Sequence, residues 1–259
     1  AGKALAINTY DPWANYFWAL ASDEAGFYAD ATDGFSVATV DPSARPAALL
    51  NLTRLAIRQK NLNRAKSLVD KCIGSNPENE EALILKALIA RISGEKEASL
   101  ICLNDILENN PLCHHARFEK YLNTENITDR NDFVNMIRQE MPHETFIELA
   151  INYYDLKLNR EALKVLEPAP RNPMVELWQA FLMYSEGQKE DAKRLLISAS
   201  EASPELVFPF RTGMIPLFSW ADSIKPSWKW RYYEALIHWQ NFLNDKAGVL
   251  FMACGEEPD

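Results

Sequence analysis

The chain has 259 residues, room for one or two ordinary domains, and its 47% hydrophobic against 24% charged residues mark it as globular and exclude a disordered chain. With 27 Lys and Arg against 36 Asp and Glu the net charge is −9, which argues against a nucleic acid as the main partner, because such binders concentrate positive charge. No stretch approaches the roughly 18 uninterrupted apolar residues that cross a bilayer, so no membrane partner is expected.

In chain order, the opening AGKALAINTYDP reads as the tail of a helix, and the expectation is a fragment whose targeting signal lies outside it. One array is expected over 1–259, with regular helix pairs over about 12–111. Ala31, Ala65 and Ser99 recur at intervals of 34 residues, each a small residue in a short helix after a turn, and Pro77 and Pro111 are also 34 apart. Within EEALILKALIARISGEKEASLICLNDILENNP, Leu83, Ala87 and Ala90 share a helix face, Gly94 makes the turn, and Ser99, Leu103 and Ile106 face back from the next helix. Gly94 and Gly187 suit a left-handed turn residue, and Lys60 and Lys157 occupy the same place at some conformational cost. An irregular pair follows over about 112–141, its second helix in TDRNDFVNMIRQEM capped by Thr128 or Asp129. Further units span about 142–204, an irregular helix containing TGMIPLFSWAD lies within about 205–225, and a terminal helix pair covers about 226–254. Strand signals are nearly absent, so the expected fold is all-α, with about six helix pairs.

These landmarks resemble the tetratricopeptide repeat (TPR), which implies a right-handed α-α superhelix of stacked helix pairs with a concave face built from the first helix of each pair. A narrower resemblance rests on NPLCHHARFEKYL, MPHETFIELAINYY, ELVFPF and PSWKWRYYEALIHW. These look like the C-terminal TPR region of large bacterial proteins of unknown function whose N-terminal β-sandwich part is styled like carbohydrate-active enzymes. That implies that any catalytic region lies outside this chain. TPR cochaperones that grip acidic tails use a clamp of Lys and Asn; the matching places here hold Tyr16, Leu50, Ile84 and Phe118, which argues against that ligand.

Chemistry-bearing residues are sparse. Cys113, His114 and His115 are adjacent, but neighbours on a helix point about 100° apart, so only His115 and Glu119, at i and i+4, share a face, and two ligands make a weak metal site. No metal and no cofactor are expected. Cys72, Cys102, Cys113 and Cys254 lack CxxC spacing and read as small apolar residues inside helices, leaning towards a reducing, cytoplasmic compartment. Glu144, Glu148 and Asp155 are carboxylates without a motif to place them, no phosphate loop or GxSxG appears, and the chain is read as non-enzymatic.

A binding surface is the better expectation. Alignment of the units places Trp13, Tyr16, Arg54, Arg58, Arg91, His115, Phe118, Tyr154, Trp178, Tyr184, Tyr232 and Trp239 at or near the first-helix face. Exposed aromatics and arginines dominate binding energy, although bulky side chains also bridge neighbouring units as core. Arg54, Arg58 and Arg91, on consecutive units, suggest a local contact for an acidic ligand. The expected function is an interaction scaffold for a peptide, a protein or the upstream domain of the same polypeptide. The alternative is a carbohydrate-handling accessory module. An apolar end at the first helix also offers a homodimer contact.

Overall fold

A computed structural model describes residues 1–138, 140–205 and 207–255. They are helical, with no strand among the described residues, and they divide into two compact units, Ala1–Ile137 and Arg138–Asp259.

Unit 1 contains α1 (Gly2–Ile7), α2 (Pro12–Glu24), α3 (Tyr28–Ala38), α4 (Arg45–Arg58), α5 (Leu62–Ser75), α6 (Glu80–Ile92), α7 (Lys96–Asn109), α8 (His114–Thr124) and α9 (Ile127–Met136). Unit 2 contains α10 (Pro142–Asp155), α11 (Asn159–Leu166), α12 (Pro173–Ser185), α13 (Lys189–Glu201), a 3-10 turn (Thr212–Met214), α14 (Ile215–Ile224), α15 (Trp228–Gln240) and α16 (Asn244–Met252). Among the described residues, α2/α3, α4/α5, α6/α7 and α8/α9 pack as consecutive pairs in the first unit, and α10/α11, α12/α13 and α15/α16 in the second. First helices also touch one another, α4 with α6, α6 with α8, α10 with α12, and α12 with α14.

The pairs are set by their turns and their crossings. Gly26, Lys60 and Gly94 all adopt left-handed φ, at 79°, 57° and 83°, at the 34-residue interval of the tetratricopeptide pattern. Beyond each, an amide donates back to the carbonyl five residues earlier: Phe27 to Ser22 at 2.8 Å, Asn61 to Ala56 at 2.9 Å and Glu95 to Ala90 at 2.8 Å. This is the Schellman closure, which satisfies carbonyls that the helix end leaves open. The same closure recurs at Lys157, Gly187 and Phe242 in unit 2, where φ is 62°, 89° and 60°. Small residues then let the helices close: Ala31, Ala65, Ser99, Ala162, Ala192 and Ala247 are all buried. At the α2/α3 crossing, a Cβ added to Gly34 would lie 2.9 Å from both the Ala19 side chain and the Asn15 carbonyl oxygen.

Asn126, not Thr128 or Asp129, caps α9, its side chain accepting from the Thr128 amide at 2.6 Å. The chain leaves α8 through a left-handed Glu125, which makes Asn126 the first extended residue and hence the one free to cap. Asp129 instead accepts from the Thr124 hydroxyl at 2.7 Å. Cys113 and Cys254 also depart from the expectation: the first is the N-cap position of α8 and the second follows α16, so neither lies inside a helix.

Candidate protein-binding surface

The three arginines proposed as an acidic-ligand contact are engaged within unit 1. Arg54 on α4 pairs with Glu81 on α6 and donates to Asn51 at 3.3 Å, and Asn51 in turn donates to the Tyr16 hydroxyl at 3.2 Å. Arg58 pairs with Asp23 on α2 at 2.5 Å, with its guanidinium 5.6 Å from the Tyr28 ring centre. Arg91 on α6 grips Glu119 on α8 through two bonds, 2.7 and 3.1 Å, and the Glu119 side chain is 0% exposed. These ion pairs bind first helices to each other, and their carboxylate partners take the place expected for an acidic ligand.

The His115 and Glu119 pair is absorbed into the same lattice. Burial pushes the His115 imidazole below its ordinary value, Glu119 opposes the shift, and Arg54 and Arg91 add to it. Among the described residues no group of three or more His, Cys, Asp or Glu side chains is placed to hold a metal ion. Burial likewise pushes up the thiols, that of Cys113 to about 11, so they are protonated near neutrality. The carboxylate Glu144 pairs with Arg211, and Glu148 lies 3.7 Å from the same guanidinium.

Two of the expected surface aromatics are core. Phe118 is 0% exposed, its ring 5.0 Å from that of Phe133, and Trp178 is 1% exposed against Tyr154 at 5.6 Å and Phe181 at 5.9 Å. Phe118 on α8 fills the space against its pair partner α9, and Trp178 on α12 fills the space against the preceding first helix α10, the core use of bulky rings. Tyr154, Tyr184 and Tyr232 are half-buried. Tyr154 and Tyr184 flank a chain of rings that continues through Phe181 to Trp220 on α14, with Phe181 and Trp220 5.3 Å apart and Tyr184 5.5 Å from Trp220. Phe181 and Trp220 were not among the expected residues, although Phe181 falls one helical turn after Trp178. Trp13 is exposed and donates from Nε1 to the Ser43 hydroxyl at 3.2 Å.

Trp239 opens onto a groove of about 690 Å³ within unit 2. One wall is α15, where Leu236, Trp239 and Gln240 share a face at helical spacing. The other is the extended stretch 207–211, in which Val207 and Pro209 are buried while Phe208 and Phe210 are exposed. That alternation is the two-residue period of an extended backbone. Arg211 anchors the stretch through its pairing with Glu144 on α10, and its guanidinium lies 4.2 Å from the Phe210 ring centre. Phe242, in the α15/α16 turn, completes the lining. Phe208, Phe210, Trp239 and Phe242 are 64%, 43%, 61% and 88% exposed. The sequence flags Trp239 alone; Phe208 and Phe210 stand in an unbroken apolar run over 207–210 whose in-out alternation is visible only in the burial, and the signal for Phe242 is an aromatic in a turn position that favours glycine.

No family model and no curated protein sequence matches the chain. Among solved structures it is similar to a tetratricopeptide repeat protein from Parabacteroides merdae, at 16% identity over 96% of this chain and 93% of that one, with a TM-score of 0.45. It is also similar to YrrB, described as a TPR protein with an unusual peptide-binding site, at 15% identity over 79% and 93% of the two chains and a TM-score of 0.42. A third likeness is to the TPR domain of P58(IPK), at 15% identity over 100% and 87% and a TM-score of 0.28.

Proposed function

We propose that this protein is a non-enzymatic interaction scaffold, and that the groove of unit 2 holds an apolar or amphipathic segment of a protein partner. The observation that carries the reading is the set of four exposed aromatic side chains around one groove. Contiguous exposed apolar surface is costly in water and marks binding sites on folded proteins, and aromatic anchors in a pocket supply most of an interface's energy. The volume lies within the range of ordinary ligand sites. Of the residues expected at the binding surface, Trp239 is the anchor in this reading, and Tyr154, Tyr184 and Tyr232 support it from the half-buried ring clusters of the same unit. The partner is a separate protein; a neighbouring domain of the same polypeptide or a second copy would present the same apolar chemistry.

The test is a comparison of proteins retained by the immobilised wild-type chain and by Phe210→Ala/Trp239→Ala. Both positions are exposed, so helicity should be unchanged, and loss of a stoichiometric partner in the double variant is the expected result. An unchanged set of partners sinks the assignment. The carbohydrate-handling alternative uses the same rings as stacking platforms, but only Gln240 and Asn244 offer polar side chains to sugar hydroxyls. A glycan array bound by the wild type and silent with the variant would replace the first reading with the second.

A further inference from the structure

A second groove, of about 430 Å³, lies in unit 1 between α3, α4 and α5. Its floor is Leu49, Leu52 and Leu68, and its rim carries Arg45, Arg64 and Lys71 with no acidic side chain in the lining. On a chain of net charge −9, three cations gathered without a carboxylate are the exception. Arg54, Arg58 and Arg91 on the first helices are each neutralised by an acid, whereas Arg64 and Lys71 have no ion-pair partner among the described residues. Arg45 is fixed by donating from Nε to the Thr39 carbonyl at 2.8 Å and from Nη2 to that of Val40 at 3.2 Å, and the Asp41 carboxylate interacts with its charge, so Arg64 and Lys71 supply most of the rim's attraction. The hydroxyls that border the groove are spent: Ser36 donates to Thr32, Thr39 to Ser36 and Ser75 to Lys71, all through backbone oxygens. Attraction for a ligand therefore comes from the cations and the leucine floor together.

We propose that this α3/α5 face docks an acidic, amphipathic segment of a protein partner, a site separate from the unit 2 groove and independent of it. Charge complementarity selects the acid. Arg64, Leu68 and Lys71 stand at i, i+4 and i+7 on α5, so the two cations are separated by about 10 Å of helix with a leucine between them. A ligand with carboxylates spread along its length and an apolar side chain between them meets all three. A single small anion meets one cation and leaves the leucines uncovered.

The experiment is display selection of random 12-residue peptides on the whole protein, depleted on Arg64→Glu/Lys71→Glu. Both side chains are exposed, and circular dichroism checks that the variant keeps its helices. Peptides that survive depletion should be acidic with interspersed Leu or Ile, bind the charge-reversed variant about tenfold more weakly or worse, and be unaffected by Trp239→Ala. Arg64→Ala/Lys71→Ala should weaken them by a smaller factor. The proposal is overturned if no peptide distinguishes the wild type from the charge-reversed variant, if the surviving peptides lack acidic residues, or if millimolar inorganic phosphate displaces them completely. The last result would make the face a small-anion site.

Discussion

Two ion pairs of the same type on neighbouring helices differ in what they contribute. Glu119 is fully buried and paired with Arg91, whereas Arg54 and Glu81 are 35% and 49% exposed. Removing one partner of a buried pair leaves a charge without solvent, at a cost of about 3–5 kcal/mol, while an exposed pair contributes about 0–1 kcal/mol. Arg91→Met should therefore lower the urea midpoint far more than Arg54→Met, and Arg91→Met/Glu119→Leu should recover much of the loss. Equal effects of the two single variants would show that Glu119 finds water. His115, beside this pair, has a lowered pKa, so the unfolded chain binds its proton at a pH where the folded chain does not. Stability from this residue is thus present above the ordinary imidazole pKa of about 6.5 and is lost as pH falls below it. His115→Asn should flatten that part of the stability-pH curve relative to wild type in paired denaturant titrations. At this scale the sequence showed that His115 and Glu119 share a face, but Arg91, 28 residues upstream, became visible as the partner only through the packing of α6 on α8.

At the scale of elements the turns were legible and the close approaches less so. Gly94, Gly187, Lys60 and Lys157 were placed correctly in left-handed turns because the interval between units fixes the position whatever residue fills it. Phe242 escaped notice, since an aromatic is an unexpected occupant of φ 60°. Left-handed backbone costs a side-chain-bearing residue about 1 kcal/mol relative to glycine, and of the residues that bear it Phe242 lines the unit 2 groove while Lys60 does not. Phe242→Gly should raise thermal stability while weakening partner binding in the unit 2 groove, whereas Lys60→Gly should raise stability without touching binding. A Phe242→Gly protein that keeps full affinity would remove the ring from the site. Gly34 is the opposite case: its neighbour Ala31 carries the repeat signal, but Gly34 itself lies so close to Ala19 and the Asn15 carbonyl that an added Cβ would clash. One added methyl must push backbone, and such overpacking costs about 1–3 kcal/mol. Gly34→Ala should lower the denaturation midpoint accordingly; no change would mean that α2 and α3 can separate freely. The stretch 207–211 falls inside the irregular helix expected over about 205–225 but is not helical, and its run of apolar residues carries no polar/apolar alternation by which an extended backbone is recognised.

For the whole molecule, net charge and local charge point in opposite directions, and salt separates them. The −9 disfavours polyanions and the sequence offers Arg54, Arg58 and Arg91 as a local exception, yet the cations without an ion-pair partner among the described residues at the second groove are Arg64 and Lys71 on α5. Sequence alone did not separate these two sets of cations, because neutralisation depends on which acid the neighbouring helix brings near. An acidic peptide at Arg64 and Lys71 feels attraction from charges a few ångströms away and repulsion from the excess acids spread over the rest of the chain. At 0.01 M salt the screening length is about 30 Å and both act; at 0.1 M it is about 10 Å, which suppresses the distant repulsion more than the local attraction; at 1 M, about 3 Å, both fade. Affinity for such a peptide should therefore pass through a maximum near 0.1 M in calorimetric titrations across that range. An apolar ligand seated on Trp239 should change little over the same series, since burial of its surface does not depend on screening. A steady fall in acidic-peptide affinity from 0.01 M upward would mean that the three rim cations outweigh the net charge at every distance, and the composition would then have no bearing on what this face attracts.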